Sequence, residues 1–127
     1  MTAARLALGR RGEDLAAAEL RRLGWDVLAR NARPAGMRGE LDIVARDGGE
    51  LVFVEVKSGR AGARSGPVSP LEMVGREKRR RLRLLAGAWA AQHREEIPRS
   101  SGMRIDVIAI RLDGAGRVCE WDHVRGV

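Results

Sequence analysis

Two short runs hold the residues whose types and spacing could do chemistry. They are Glu40-Leu41-Asp42-Ile43-Val44-Ala45 and Leu51-Val52-Phe53-Val54-Glu55-Val56-Lys57. Between them lies Arg46-Asp47-Gly48-Gly49-Glu50, and a two-residue Gly-Gly turn between β-rich runs signals a hairpin. With Gly48 and Gly49 at its tip, Asp47 faces Glu50, Asp42 faces Glu55 and Glu40 faces Lys57. Facing residues of an antiparallel pair share one side of the sheet, with Cβ atoms about 4.5–5.5 Å apart. Two carboxylates that close repel, and one pKa rises unless a cation intervenes. Hard oxygens of this kind suit Mg²⁺, which takes a few carboxylates and keeps several waters. Lys57 lies two residues beyond Glu55 and shares its side, where it could orient or deprotonate a water held by the ion and offset charge on a phosphate. The plainer alternative is a solvated sheet end in which Lys57 pairs with Glu40 or Glu55. A slip of one residue in register would part Asp42 from Glu55.

Two further charged residues fall on apolar helical stripes. Glu13 precedes Ala16, Ala17 and Leu20 at helical spacing, so it points with the packed side and needs a cation or an ion-held water as partner. A first-turn glutamate favoured by the helix dipole is the simpler explanation. Lys78 falls among Val74, Leu82 and Leu85, from where it either snorkels to solvent or reaches the acids.

The elements that must position these groups are readable from periodicity. Ala3 to Leu23 is helical in pattern, with Gly9 and Gly12 weakening its first turns so that the firm helix is expected from about Glu13. Trp25 to Ala29 is a short strand, and Asn31 to Gly39 a loop. In the hairpin, Leu41, Ile43, Ala45, Val52, Val54 and Val56 form one apolar side, while Val44 and Phe53 lie on the side that carries the acids. Ser58 to Pro70 reads as an exposed loop, Leu71 to His93 as a second helix, and Arg104 to Leu112 and Arg117 to Val124 as strands joined at Asp113-Gly114-Ala115-Gly116. The order α-β-β-β-α-β-β predicts one α/β or α+β domain, residues 1–127, around a mixed five-stranded sheet flanked by helices.

Composition narrows the classes. At 127 residues the chain has room for one domain with a real core, and one cysteine (Cys119) with two histidines excludes a disulfide framework and disfavours structural zinc. No apolar run approaches the ~20 residues of a membrane helix, and the start is too quickly interrupted by Arg10 and Arg11 for a secretory signal. A soluble, cytoplasmic protein with no membrane partner is expected. The net charge of +7 favours polyanions, and with only 3% aromatics, cations on phosphate are a more natural mode than base stacking. Arg76, Lys78, Arg79, Arg80, Arg81 and Arg83, opposed only by Glu77, are the candidate nucleic-acid contacts; otherwise they form a solvated face. Arg104 and Asp106 are expected to pair or brace the sheet, the three tryptophans to pack, and Cys119 to be a small packed thiol.

Glu13, then Gly39-Glu40-Leu41-Asp42, then Val52-Phe53-Val54-Glu55-Val56-Lys57 make the order E…D…ExK, which resembles the PD-(D/E)xK nucleases. Within that superfamily the chain is most similar to the YraN family of small bacterial proteins. The likeness runs through Gly9-Arg10-Arg11-Gly12-Glu13, Asn31-Ala32-Arg33, Gly39 to Asp42, Val52 to Lys57, Lys78 and Arg104-Ile105-Asp106-Val107, with Leu41, Ile105 and Ser58 departing mildly from the family pattern. The resemblance implies an α/β restriction-endonuclease-like fold and a Mg²⁺- (or Mn²⁺-) dependent DNA endonuclease. It implies Asp42, Glu55 and Glu13 as metal ligands and Lys57 as the residue assisting the water. Holliday-junction resolvases share the plan and act as dimers, which extends the expectation to branched or junction DNA and to a homodimer through an exposed strand edge. The alternative is a DNA-binding protein that keeps the fold without turnover. A structural adaptor using the tryptophans and the hairpin edge is the third reading.

Overall fold

The structure is a computed structural model and describes residues 2–62, 74–97 and 102–127. The Thr2 hydroxyl oxygen accepts the Arg5 N–H at 3.2 Å and caps helix α1 (Ala3–Arg22), after which Gly24, at φ 88°, turns the chain. The helix therefore does not wait until Glu13. Gly12 is buried inside it, and a Cβ there would lie 1.8 Å from Ser58 Oγ, so the glycine lets α1 lie directly on the sheet.

Strands β1 (Asp26–Ala32), β2 (Leu41–Asp47) and β3 (Glu50–Arg60) form an antiparallel meander. Helix α2 (Arg76–Gln92) then precedes β4 (Gly102–Leu112), which pairs parallel to β3, and β5 (Val118–Val124) returns antiparallel. The sheet order is β1-β2-β3-β4-β5, so the mixed five-stranded sheet and the order α-β-β-β-α-β-β are both present. Among the described residues no helix is long and apolar enough to cross a membrane.

Strand ends are where pairing overrides local sequence. β1 continues past Ala29 to Ala32 because Arg30 and Ala32 pair with Ile43 and Leu41 of β2. β3 runs on to Arg60 because Ser58, Gly59 and Arg60 pair with Ile110, Arg111 and Leu112, so the expected loop begins later than Ser58. Helix α2 begins at Arg76 with Gly75 as its cap; Val74 is buried but not helical, and Leu71, the expected start, lies outside the described residues, as do 63–70 of the expected loop. At the hairpin tip Gly48 takes φ 58° and Asp47 pairs with Glu50, the expected register, held through Ile43 opposite Val54.

One helix covers each side of the sheet. Ala16, Ala17 and Leu20 of α1 pack on Ile43, Ala45, Val52, Val54 and the even-numbered residues of β4 from Ile108 to Leu112. Leu82, Leu85, Ala86 and Trp89 of α2 pack on Val44, Leu51, Phe53, Ile105 and Val107. Leu41 corrects a prediction: it joins the α2 cluster with Val44 and Phe53, not the side of Ile43. The alternation fails because β2 leaves the regular ladder beyond Ile43, where Asp42 turns its side chain onto β3.

Asp106 is fully buried beneath α1's side of the sheet and satisfied by three donors. Arg104 Nε lies 3.0 Å from Oδ1, the Gly126 N–H donates to Oδ1 at 3.1 Å, and His123 Nε2 meets Oδ2 at 2.8 Å. Arg104 also reaches Asp47 and Glu50 at the hairpin tip, each at 3.1 Å. This network ties β4 to β5, the chain end and the hairpin, the bracing role expected of Arg104 and Asp106. Cys119 departs from expectation: it is exposed on edge strand β5.

Candidate active site

The loop before β2 decides where Asp42 starts, and α2 fastens that loop. The Gln92 carboxamide accepts the Ala35 N–H and donates to the Ala35 carbonyl, both at 2.9 Å, while Arg81 donates to the Arg38 carbonyl at 3.3 Å. Gly39 follows at φ 114°, where an added Cβ would stand 3.0 Å from Leu85 Cδ1; backbone conformation and the helix both demand glycine. Asp42 then enters the sheet and its Oδ2 accepts the Val56 N–H at 2.9 Å. A side chain thus completes the hairpin where the backbone ladder stops.

Glu55 stands beside it on β3 and its side chain is only 6% exposed. Two ammonium groups approach one of its oxygens: Lys57 Nζ lies 3.6 Å and Lys78 Nζ 3.5 Å from Oε1. These are ion pairs rather than tight hydrogen bonds. Oε2 is buried with no hydrogen-bond partner. A buried carboxylate oxygen left bare is costly, which makes it the conspicuous polar atom of the site.

Electrostatics follow from this packing. Burial first, and the charge of Glu55 second, push the Asp42 carboxyl up to about 7, against the Val56 N–H and Lys78, which pull it down. Glu13 on α1 lies within electrostatic reach of the pair. Its pKa is also raised, mainly by burial, with Glu40, Asp14 and Glu55 adding and Arg30 opposing. Turned so that its NH₂ faces the acids, the Asn31 carboxamide donates to Glu13 Oε1 and to Glu40 Oε1, each at 2.8 Å.

The structure thus brings Asp42, Glu55, Lys57 and Lys78 together, with Glu13 at the edge. Among the described residues no three His, Cys, Asp or Glu side chains converge as a ready-made metal-ligand group. Glu40 departs from its expected place opposite Lys57: Arg33 Nη2 holds it at 3.1 Å, because the strand has already left the ladder there. By the chemistry of the donors, two neighbouring carboxylates with one oxygen unpartnered, Asp42 and Glu55 are the residues that could hold a hard divalent cation such as Mg²⁺ or Mn²⁺.

The basic residues of α2 do not form one face. Lys78, Arg80 and Arg81 line a groove of about 560 Å³ with Arg38 and Met37 of the loop. Arg83 lines another hollow with Phe53 and Arg104, Arg79 is half-buried, and Arg76 is exposed. A second cleft, about 750 Å³, lies on the other flank and includes Arg5, Arg10, Arg30 and Arg33 around Glu13 and Asn31. Those four arginines escape a search for dense charge runs because they are scattered along α1, β1 and the loop that follows it. Only the fold assembles them.

The sequence model of a family described as uncharacterised protein family UPF0102 matches residues 12–110. The chain is 44% identical over 120 residues to a UPF0102 protein of an Arthrobacter species, covering 94% of each chain. It is 45% identical over 124 residues to one of Streptomyces coelicolor, covering 98% of this chain and 90% of that one. A UPF0102 protein of Roseiflexus castenholzii is 42% identical over 124 residues, with 98% and 94% covered. With the family model matching residues 12–110 and similarity to its members running nearly end to end, the chain belongs to the UPF0102 (YraN) family.

Proposed function

We propose that the protein is a Mg²⁺- or Mn²⁺-dependent DNA endonuclease whose cation is held by Asp42 and Glu55, with Glu13 completing the acidic edge. The observation that carries this reading is the bare, buried Glu55 Oε2 beside an Asp42 that burial and its neighbour have driven up to about 7. A divalent cation would occupy that oxygen and remove the repulsion in one step. When bound, such an ion supplies an activated water and neutralises charge on the reacting phosphate.

The chain's own groups do the rest. Lys57, one-third exposed at the mouth of the site, would orient the attacking water and offset charge on the phosphate as the bond breaks. Lys78 neutralises Glu55 from the helix side and presents the rest of its charge to the groove it shares with Arg80 and Arg81. Arginine-lined clefts on both flanks of the acids suit a phosphodiester backbone that continues past the cut in both directions, which is what an endonuclease must hold. Branched or junction DNA is the substrate class we would test first, with a homodimer as the acting form.

Purified protein is incubated with linear, nicked, flapped and four-way DNA and Mg²⁺ or Mn²⁺. The reading requires cleavage that Asp42→Ala and Glu55→Ala each abolish without unfolding the protein. No cleavage of any substrate that these substitutions remove would defeat it.

A second reading, a DNA-binding protein without turnover, is favoured by one observation. Two ammonium groups already neutralise Glu55, and among the described residues a three-ligand group is absent. In that case binding falls steeply with salt and survives Glu55→Ala unchanged, with no cation dependence.

A further inference from the structure

Asn31 is the one non-glycine residue among the described residues with positive φ, at 50°. Asparagine is the residue that best tolerates this left-handed conformation after glycine, and glycine would be the cheaper choice if the backbone alone mattered. The side chain explains the choice. With the carboxamide turned so that its oxygen faces away from the acids, the orientation its surroundings favour, its NH₂ gives one hydrogen to Glu13 Oε1 and the other to Glu40 Oε1, both at 2.8 Å. Among the described residues it is the one hydrogen-bond donor given to Glu13. Arg30 bonds Asp14 through Nη2 at 2.7 Å and acts on Glu13 only through its charge, its buried Nε having no hydrogen-bond partner, while Arg33 holds Glu40 at 3.1 Å. Aspartate would fit the shape but bring a third negative charge and no donor; glycine would fit the backbone and leave the two glutamates facing each other. Only asparagine meets both demands.

We propose that Asn31 is a positioning residue that holds the Glu13 carboxylate at the edge of the Asp42–Glu55 pair, fixing the acidic cluster from β1. This rests on the reading of that pair as a cation site. A neutral carboxamide fits the task because it binds two like charges without adding one, and it does so from a strand end whose position is set by pairing with β2. Asn31 is exposed on the cleft wall, so replacing it empties no core. Partners that orient metal-site groups at second hand commonly change affinity or activity about 10–100-fold when removed.

The test uses the full chain and Asn31→Gly, which keeps the backbone conformation and deletes the donor, with Asn31→Asp beside it. Mn²⁺ affinity is measured by calorimetry, kcat and KM on the cleaved DNA by kinetics, and folding by thermal melting. Both variants should melt within about 4 °C of the parent. They should bind Mn²⁺ about tenfold more weakly and lose kcat with KM for DNA unmoved. Parental Mn²⁺ affinity and kcat in Asn31→Gly would overturn the proposal. Should the parent itself neither bind Mn²⁺ nor cleave, the cation reading fails by itself, and a double-mutant cycle on the melting midpoint decides the role of Asn31. The effect of Asn31→Gly must then shrink in a Glu13→Ala background, and full additivity overturns the contact.

Discussion

At Glu55 one carboxylate oxygen faces two ammonium groups and the other is buried with no hydrogen-bond partner. A fold selected for stability alone would not leave that oxygen bare, and proteins commonly keep such local costs at working sites. Glu55→Gln removes the repulsion on Asp42 while keeping the shape. It should raise the stability of the cation-free protein by about 1 kcal/mol, roughly 4 °C in melting, while cation-dependent cleavage falls at least about 100-fold. A melt and an activity assay on one preparation check both. Lys57→Ala should lower kcat by about 100-fold with the melting midpoint nearly unchanged, because its ammonium is one-third exposed. The pH dependence has a definite sign. Asp42 titrates at about 7 when folded and near 3.8 when unfolded, so the folded state binds the extra proton between those values. Stability contributed by this group is full below pH 3.8 and lost as pH rises through 7. Asp106 acts oppositely: burial would raise its pKa, but hydrogen bonds from His123, Arg104 and Gly126 hold it below its ordinary value, so its contribution is present above 3.8 and lost in stronger acid. Melting of the cation-free protein should therefore fall by several degrees between pH 5 and pH 8, and Mn²⁺ should restore much of it at pH 8. In Asp42→Asn that slope should flatten.

At the scale of elements, α1 and the hairpin carry the site, and two glycines in α1 separate packing from propensity. Gly9 has nothing within 4 Å of an added Cβ, so Gly9→Ala should stabilise by about 0.5–1 kcal/mol. Gly12→Ala gains the same propensity but drives a methyl to 1.8 Å from Ser58 Oγ, and should destabilise by about 1–3 kcal/mol. Ser58→Ala in the same chain should recover part of that loss, since only Ser58 Cβ, at 3.0 Å, then remains in the way. Urea unfolding of the three variants beside the parent checks the set. Gly12 also shows what sequence could and could not tell. Gly48-Gly49 set the hairpin register as far as Ile43 opposite Val54; Asp42 lies beyond the paired ladder and reaches β3 through its bond to the Val56 N–H rather than as the expected partner of Glu55. The glycines of α1 read as weak helix, since their value lies in contact with Ser58, far away in the chain. Leu41 defeated simple alternation for a similar reason: Asp42 completes a hydrogen bond to Val56 that only the folded hairpin offers. Strand ends at Ala32 and Arg60 likewise depend on partners across the sheet. Glu55 and Lys57 were legible because alternation along β3 puts them on one side; Asp42 and Glu40 lie beyond the paired ladder, and the four arginines of the second cleft are gathered by tertiary folding alone.

Over the whole molecule, the net charge of +7 surrounds a small negative centre with arginine-lined clefts on either flank. Phosphate contacts release counterions, so DNA affinity should fall steeply as salt rises, and Arg80→Ala and Arg81→Ala should each lower the log–log slope by about 1. Arg81 should also cost some stability, because it bonds the Arg38 carbonyl. The claim that joins charge, fold and site is that Asp42 and Glu55 together hold one divalent cation. Calorimetric titration of the protein with Mn²⁺ at pH 8, beside Glu55→Gln under the same conditions, tests it most directly. We predict a single saturable site in the parent, proton release when the titration is repeated near pH 6.5, and no measurable site in Glu55→Gln. Equal binding by both proteins, or no heat from either, would contradict it.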